Sequence, residues 1–216
     1  MLQDSFRHKG LRKQLIEELK SMNITDTAVL SAINQVPRHL FMDKSFEERA
    51  YENVPFPIDR GQTISNPYTV AFQTWLLQLN KNDVVLEIGT GSGYQAAVLS
   101  LLCDKVYSIE RHQPLMLKSK KLLKQLNYNN IQLFFKDGFL GLPNLAPFDK
   151  ILITAAVPEL PNTLMQQLKI GGYIVLPLGN GEQQEMLRIQ RKDKLTFTQE
   201  QFNYFSFVPM LKGTVN

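Results

Sequence analysis

Cysteine is nearly absent: Cys103 is the only one in 216 residues. A lone thiol excludes an intrachain disulfide and a cysteine-rich zinc site. Long apolar runs are missing too, since stretches such as Ile151–Val157 fall far short of the roughly 18 residues a spanning helix needs. The opening residues Met1 to Gly10 hold no apolar core of a secretory leader. Charge of one sign is scarce, with 24 Lys plus Arg against 20 Asp plus Glu, a net of +4 and a pI near 9.1. A solvated basic surface accounts for that mild excess at least as well as a nucleic-acid footprint does. No G-x-x-x-x-G-K-[ST] occurs, so a P-loop is excluded. What remains, at 44% apolar and 20% charged residues, is the composition of one soluble, cytoplasmic globular domain spanning 1–216.

The chain divides into three parts. In 1–66, Leu11, Leu15, Ile16, Leu19 and Met22 recur at helical spacing. Asp26 can cap a second helix bearing Val29, Leu30, Ile33 and Val36, which Pro37 stops. Residues 37–66 contain Pro37, Pro55, Pro57 and Gly61 and keep no period, which predicts a functional loop rather than a passive link. Asn66 then caps a helix with Pro67 at its first position and Val70, Ala71, Trp75, Leu76 and Leu79 on its buried side.

In 67–180 strand and helix alternate. Strands are expected at Val84–Ile88, Lys105–Glu110, Ile131–Phe135, Lys150–Thr154 and Tyr173–Pro177. Helices are expected at Tyr94–Cys103, 112–127 and Pro161–Leu168. This alternation predicts an α/β fold, a mostly parallel sheet covered on both faces. In 181–216, Met186–Gln190, Leu195–Thr198 and Phe205–Val208 alternate like antiparallel strands finishing one edge.

The most informative segment is Val84-Val85-Leu86-Glu87-Ile88-Gly89-Thr90-Gly91-Ser92-Gly93-Tyr94. A buried strand enters a turn of alternating glycines and a helix leaves it, exposing backbone N–H groups to a ligand. The spacing is G-x-G-x-G, not the G-x-G-x-x-G of dinucleotide sites. Glu87 sits two positions before the first glycine, and Glu110 ends the next strand, where a carboxylate can accept both hydroxyls of a ribose. Asp137-Gly138 follows the third strand, at the edge where such sheets bind ligands, and can take an adenine amino group. A carboxylate-rich pocket without phosphate-binding lysines suits a nucleoside lacking phosphates, and the cationic S-adenosylmethionine fits best. Taken alone, Asp137 is equally a turn former, and Thr90 and Ser92 need do nothing beyond shaping the turn. The turn by itself leaves open an RNA or small-molecule methyltransferase, or a nucleoside-binding module without chemistry.

The segment Gly61-Gln62-Thr63-Ile64-Ser65-Asn66-Pro67, followed by Leu86-Glu87-Ile88-Gly89-Thr90-Gly91-Ser92-Gly93-Tyr94-Gln95-Ala96-Ala97, resembles the protein-L-isoaspartate O-methyltransferase family. Val36-Pro37-Arg38, Ala50-Tyr51, Asp137-Gly138, Ala146-Pro147-Phe148-Asp149, Thr154-Ala155-Ala156, Gly171-Gly172 and Phe207-Val208-Pro209 match in order along nearly the whole chain. The resemblance implies a Rossmann-like class I S-adenosylmethionine-dependent methyltransferase fold. It also implies methyl transfer to the free carboxyl of L-isoaspartyl or D-aspartyl residues in damaged proteins and peptides, with S-adenosyl-L-homocysteine as the other product. Partners would then be damaged polypeptides, not nucleic acid or membrane, the chain acting as a monomer without a metal.

By the same resemblance Ser65 is the catalytic residue. Thr63, Ile64, Glu87, Gly89, Gly91, Gly93, Glu110, Arg111, Asp137 and Gly138 bind the cofactor, and Val208 and Pro209, in a final strand, hold the peptide. Without it, Ser65 reads as a capping serine before Asn66-Pro67, and Val208-Pro209 as an edge strand ending at proline. An acceptor carboxylate is already ionised at neutral pH and needs no general base. His8, His39 and His112 accordingly read as standing in unrelated contexts, and Cys103 as a core residue. Arg111, Lys118, Lys120, Lys121 and Lys124 read as the solvated face of a helix, without the aromatic neighbours of a nucleic-acid site. One departure is visible: Pro57-Ile58-Asp59, followed by Arg60, stands where the family commonly has Pro-Ile-Gly, which puts peptide preference in question.

Overall fold

Val84–Ile88 (β3) is apolar on both faces but for one residue, and in the computed structural model it is an interior strand of a seven-stranded sheet. The structure describes residues 4–216; residues 1–3, part of the Met1–Gly10 stretch read above for a leader, lie outside the described residues. Lys105–Glu110 (β4) and Phe148–Ile153 (β6) flank β3, both parallel to it. Ile131–Phe135 (β5) lies beyond β4, and Leu168–Leu178 (β7) beyond β6, again in parallel. Gln184–Arg191 (β8) and Phe197–Phe205 (β9) add antiparallel, giving the order β5-β4-β3-β6-β7-β8-β9. The chain leaves β3 toward β4 on one side and returns to β6 on the other. The switch point above β3 is therefore where a ligand crevice opens at the carboxyl ends of the strands.

Two apolar clusters sandwich the sheet. One joins Leu15, Ile33, Leu76 and Leu99 to Val85 and Val106, so the first helices share a core with the sheet. The other packs Leu86, Ile88, Ile151 and Leu168 with Leu164. The helices are Phe6–Ser21 (α1), Thr27–Gln35 (α2), Pro67–Leu77 (α3), Tyr94–Ser100 (α4), Gln113–Gln125 (α5) and Asn162–Met165 (α6). Asp26 caps α2 through the amides of Ala28 and Val29, and Asn66 caps α3 through that of Thr69, as expected. Trp75 and Leu79 are only partly buried.

Several expectations are corrected. The stretch 37–66 is not without regular structure: it folds into three short 3-10 turns and a hairpin of Phe56–Pro57 (β1) with Thr63–Ile64 (β2). Pro161–Leu168 yields a single helical turn, because Leu168 is recruited into β7, whose length exceeds the expected Tyr173–Pro177. The expected strands at Leu195–Thr198 and Phe205–Val208 are replaced by one strand, β9, ending at Phe205. Among the described residues no helix is long and apolar enough to cross a membrane.

Candidate active site

The turn after β3 is built so that backbone, not side chains, faces the crevice. Gly89 adopts φ +100°, and a Cβ there would lie 2.4 Å from Thr154 Oγ1. That hydroxyl donates to the carbonyls of Ile88 and Gly89, both at 2.9 Å, wedging the turn against the end of β6. Ser119 on α5 donates to the Gly91 carbonyl at 2.6 Å. Glu110, 5% exposed, lines the crevice with its carboxylate held by two backbone amides, Gly91 N–H on Oε2 at 2.8 Å and His112 N–H on Oε1 at 2.9 Å. Each oxygen keeps a lone pair for a ligand hydroxyl. Gly93, expected at the cofactor, instead opens α4 and packs against Leu123 and Ser119 of α5, so it shapes the turn from behind.

Glu87 does not reach the crevice. Alternation along β3 turns Leu86 and Ile88 to one cluster and Glu87 to the opposite face, where it is fully buried. Its Oε2 accepts from Ser108 Oγ, its register partner on β4, and Ser108 in turn accepts from Thr90 Oγ1 at 2.6 Å. Oε1 has no partner. Burial, with Glu110 adding repulsion and Ser108 opposing, pushes the Glu87 carboxyl up to about 8. Glu87 thus touches the crevice only through Ser108 and Thr90, and Thr90 lines it.

Asp137 and Arg111 also hold backbone in place. Asp137 Oδ1 accepts from Phe139 N at 2.9 Å and Oδ2 from Gly213 N at 2.7 Å, so its carboxylate serves the backbone. Gly138 is the member of that pair that lines the crevice. A Cβ on it would meet Ile88 Cγ2 at 2.4 Å. Arg111 lines the crevice, yet its guanidinium donates to the carbonyls of Gly213 and Lys212 at 3.2 and 3.3 Å. Val215 N donates to Arg111 O at 2.7 Å and Gln113 N to Val215 O at 2.9 Å. Residues 210–215 are thereby strapped across the strand ends, and Met210 and Leu211 wall the crevice.

The β1–β2 hairpin carries Thr63, Ile64 and Ser65 to the crevice mouth. Arg60 turns it at φ 62°, and Asp59 reaches Lys118 on α5 at 2.7 Å. Beside the crevice runs a groove of about 430 Å³, walled among others by Tyr68, Gln183, Tyr204 and Phe207. Thr63, Ser65, Thr154 and Val208 line both spaces. Asn66, not Ser65, caps α3, and among the described residues the Ser65 hydroxyl has no hydrogen-bond partner, leaving it to a ligand. Val208 and Pro209 lie outside any strand. They are fixed by Ala156 N donating to Val208 O and Met210 N donating to Ala156 O, both at 2.8 Å.

Of the three histidines, His112 departs from its expected unrelated context, while His8 and His39 stand apart from the crevice. His112 lines the crevice, and burial, aided by Arg111 and Arg60 against Glu110, lowers its pKa and keeps the ring neutral at pH 7. His8 and His39 stack at 3.7 Å, with Tyr51 Oη 2.8 Å from His39 Nδ1. Asp4 approaches both rings, but it is bound by Arg12. His8 Nδ1 accepts from Ser5 N, which leaves the proton on Nε2 facing Glu47, so that nitrogen donates rather than ligates. Sequence reasoning missed His112, Thr154, Met210 and Leu211 as crevice residues. Thr154 was within reach of it, as it follows β6 directly at the ligand-binding edge.

Residues 10–215 match the family described as protein-L-isoaspartate(D-aspartate) O-methyltransferase. A protein-L-isoaspartate O-methyltransferase of Christiangramia forsetii is 52% identical over 211 residues, 98% of this chain and 99% of that protein. One from Flavobacterium psychrophilum gives the same figures, 52% over 211 residues, 98% and 99%. A solved protein-L-isoaspartate O-methyltransferase aligns with TM-score 0.83 and 28% identity over 92% of this chain and 65% of the other. A Plasmodium falciparum protein assigned the same activity, in complex with S-adenosyl-L-homocysteine, aligns with TM-score 0.81 and 24% identity over 94% and 99%, a likeness of fold.

Proposed function

The chain belongs to the protein-L-isoaspartate(D-aspartate) O-methyltransferase family, and from that premise we propose how its crevice and groove divide the work. It is an S-adenosylmethionine-dependent carboxyl O-methyltransferase acting on isoaspartyl residues of damaged proteins. The crevice suits that cofactor by its donor set. Glu110 offers an acceptor for ribose hydroxyls, and Ile88, Ile109, Met210 and Leu211 supply apolar walls. The one basic side chain with a fixed charge, Arg111, is committed to backbone carbonyls rather than to a phosphate.

When bound, S-adenosylmethionine supplies a methyl group made electrophilic by a sulfonium. The acceptor carboxylate, ionised at neutral pH, brings the nucleophile, so the protein's task is alignment and exclusion of water. In this reading the Ser65 hydroxyl donates to the acceptor carboxylate and orients one oxygen toward the crevice. Thr63 and Ile64 cover the methyl-donor end, and Val208 and Pro209 steady the peptide. The observation that carries the reading is that Ser65 lines both spaces at their junction. A polypeptide rather than a nucleic-acid acceptor is supported by a groove lining without Lys or Arg. The proposal includes a cytoplasmic, monomeric enzyme, and its sole cysteine, Cys103, is buried.

Labelled S-adenosylmethionine incubated with an isoaspartyl peptide should yield a base-labile methyl ester, while the matching aspartyl peptide stays unlabelled. Equal labelling of both peptides would refute the assigned specificity, and labelling of RNA alone would reassign the acceptor.

A further inference from the structure

The chain contains one Asn-Gly pair, Asn180-Gly181, and one Asp-Gly pair, Asp137-Gly138. The structure treats them oppositely. Asp137 has both carboxylate oxygens occupied by amides, and Gly138 is packed against Ile88 and Met210. Both are thereby held in place. Asn180 and Gly181 are both exposed, in the loop between β7 and β8. Among the described residues neither the Asn180 side chain nor the Gly181 N–H has a hydrogen-bond partner. A Cβ at position 181 would meet nothing nearer than 3.9 Å, so the local backbone has room to rearrange.

That combination is the one that favours cyclisation. The Gly181 nitrogen attacks the side-chain amide carbon of Asn180, the new C–N bond closes a succinimide, and ammonia leaves. Water opens the ring at either carbonyl; opening at the α-carbonyl routes the main chain through the side-chain carbon and frees an α-carboxylate. The product is an isoaspartyl residue, the substrate class of this family.

We propose that Asn180 is a self-damage site and that the isoaspartyl residue formed there in one copy is a methyl acceptor for another copy. The inference rests on the function proposed above. Transfer then breaks the sulfur–methyl bond and forms the oxygen–methyl bond at the α-carboxylate of residue 180. The neighbouring Gln183 lines the acceptor groove of its own chain. The loop is nevertheless tethered on both sides, by Gly179 N to Val157 O at 2.8 Å and Gln184 Nε2 to Gly181 O at 2.6 Å. Those tethers flank the pair while leaving the Asn180 side chain and the Gly181 N–H free, and they keep Asn180 and Gly181 out of the lining of their own groove, so the groove of a second copy is the one offered to them.

The test ages the full-length enzyme without methyl donor at mildly alkaline pH, then adds fresh enzyme and labelled S-adenosylmethionine. An isoaspartyl peptide serves as internal control, and Asn180→Gln enzyme is aged in parallel. Expected is isoaspartate at position 180 by peptide mapping, base-labile label on the same peptide, and loss of that label in Asn180→Gln, which still methylates the control. Label on aged chains should rise with the concentration of fresh enzyme; labelling indifferent to dilution would overturn transfer between copies. Isoaspartate at 180 without label beside a methylated control, label retained in Asn180→Gln, or an undamaged position 180 would each overturn the proposal and leave the functional reading intact. An unlabelled control peptide would remove that reading and this inference with it.

Discussion

The amide of Gly91 donates to Glu110 Oε2 at 2.8 Å, joining positions 19 apart in sequence and pinning the glycine turn to the end of β4. The same carboxylate faces the crevice, so it shapes the site and offers a ligand acceptor at once. Glu110→Gln keeps one oxygen but loses the charge and turns a donor toward one of the two amides. Hydrogen bonds to charged groups contribute about 1.5–3 kcal/mol, which predicts a roughly tenfold to hundredfold weaker affinity for S-adenosyl-L-homocysteine. Calorimetric titration measures it; an unchanged Kd would count against this role.

Ser65→Ala should separate the two spaces functionally. Removing one neutral hydrogen bond to the acceptor, about 0.5–1.5 kcal/mol, lowers kcat/KM for the isoaspartyl peptide by roughly threefold to tenfold. Affinity for S-adenosyl-L-homocysteine should stay at the parent value. A cofactor affinity that falls in step with peptide turnover would show that Ser65 serves the crevice and not the groove.

Glu87 gives a pH dependence of stability with a defined direction. The folded chain retains its proton up to about pH 8, whereas the unfolded chain releases it near 4.5. Between those values the folded form binds more protons, so this residue's contribution to the unfolding free energy declines as pH rises and levels off above the window. The total decline is on the order of a few kcal/mol. Chemical denaturation at pH 5.5, 7 and 8.5 should show the decline in the parent and a shallower one in Glu87→Gln; parallel slopes would contradict it.

Asp59 and Lys118 form an exposed pair at 2.7 Å that ties the β1–β2 hairpin to α5. Exposed pairs contribute about 0–1 kcal/mol and are screened by salt. Asp59 points at α5 and is absent from the groove lining, so Asp59→Gly should change stability by less than about 1 kcal/mol. Its ranking of peptides with acidic, neutral and basic flanking residues should match the parent's. A reordered ranking would mean that the hairpin reports this pair to the groove.

What the sequence could disclose divides along the range of the interactions involved. Val84–Ile88, Lys105–Glu110 and Ile131–Phe135 match the structure to the residue, because an apolar run closed by glycine, charge or turn residues is a local signal. The Asn66 cap and Pro67 were legible for the same reason. The bond from Gly213 N to Asp137 was not legible, because Gly213 stands 76 positions away and no local pattern reports it. The face toward which Glu87 turns depends on which side of β3 the helices pack, and the stacking of His8 on His39 on how α1 folds back. Pro161–Leu168 had helical composition, and its end was claimed by the sheet instead.

The junction at Ser65 also bears on turnover. On the proposed function, donor and acceptor take adjoining chambers with a shared doorway, and only a one-carbon group needs to cross the threshold. Under that proposal the spent nucleoside would leave the crevice and the esterified chain the groove, so neither need vacate before the other departs. A long polypeptide would then stay docked while fresh donor is loaded behind it.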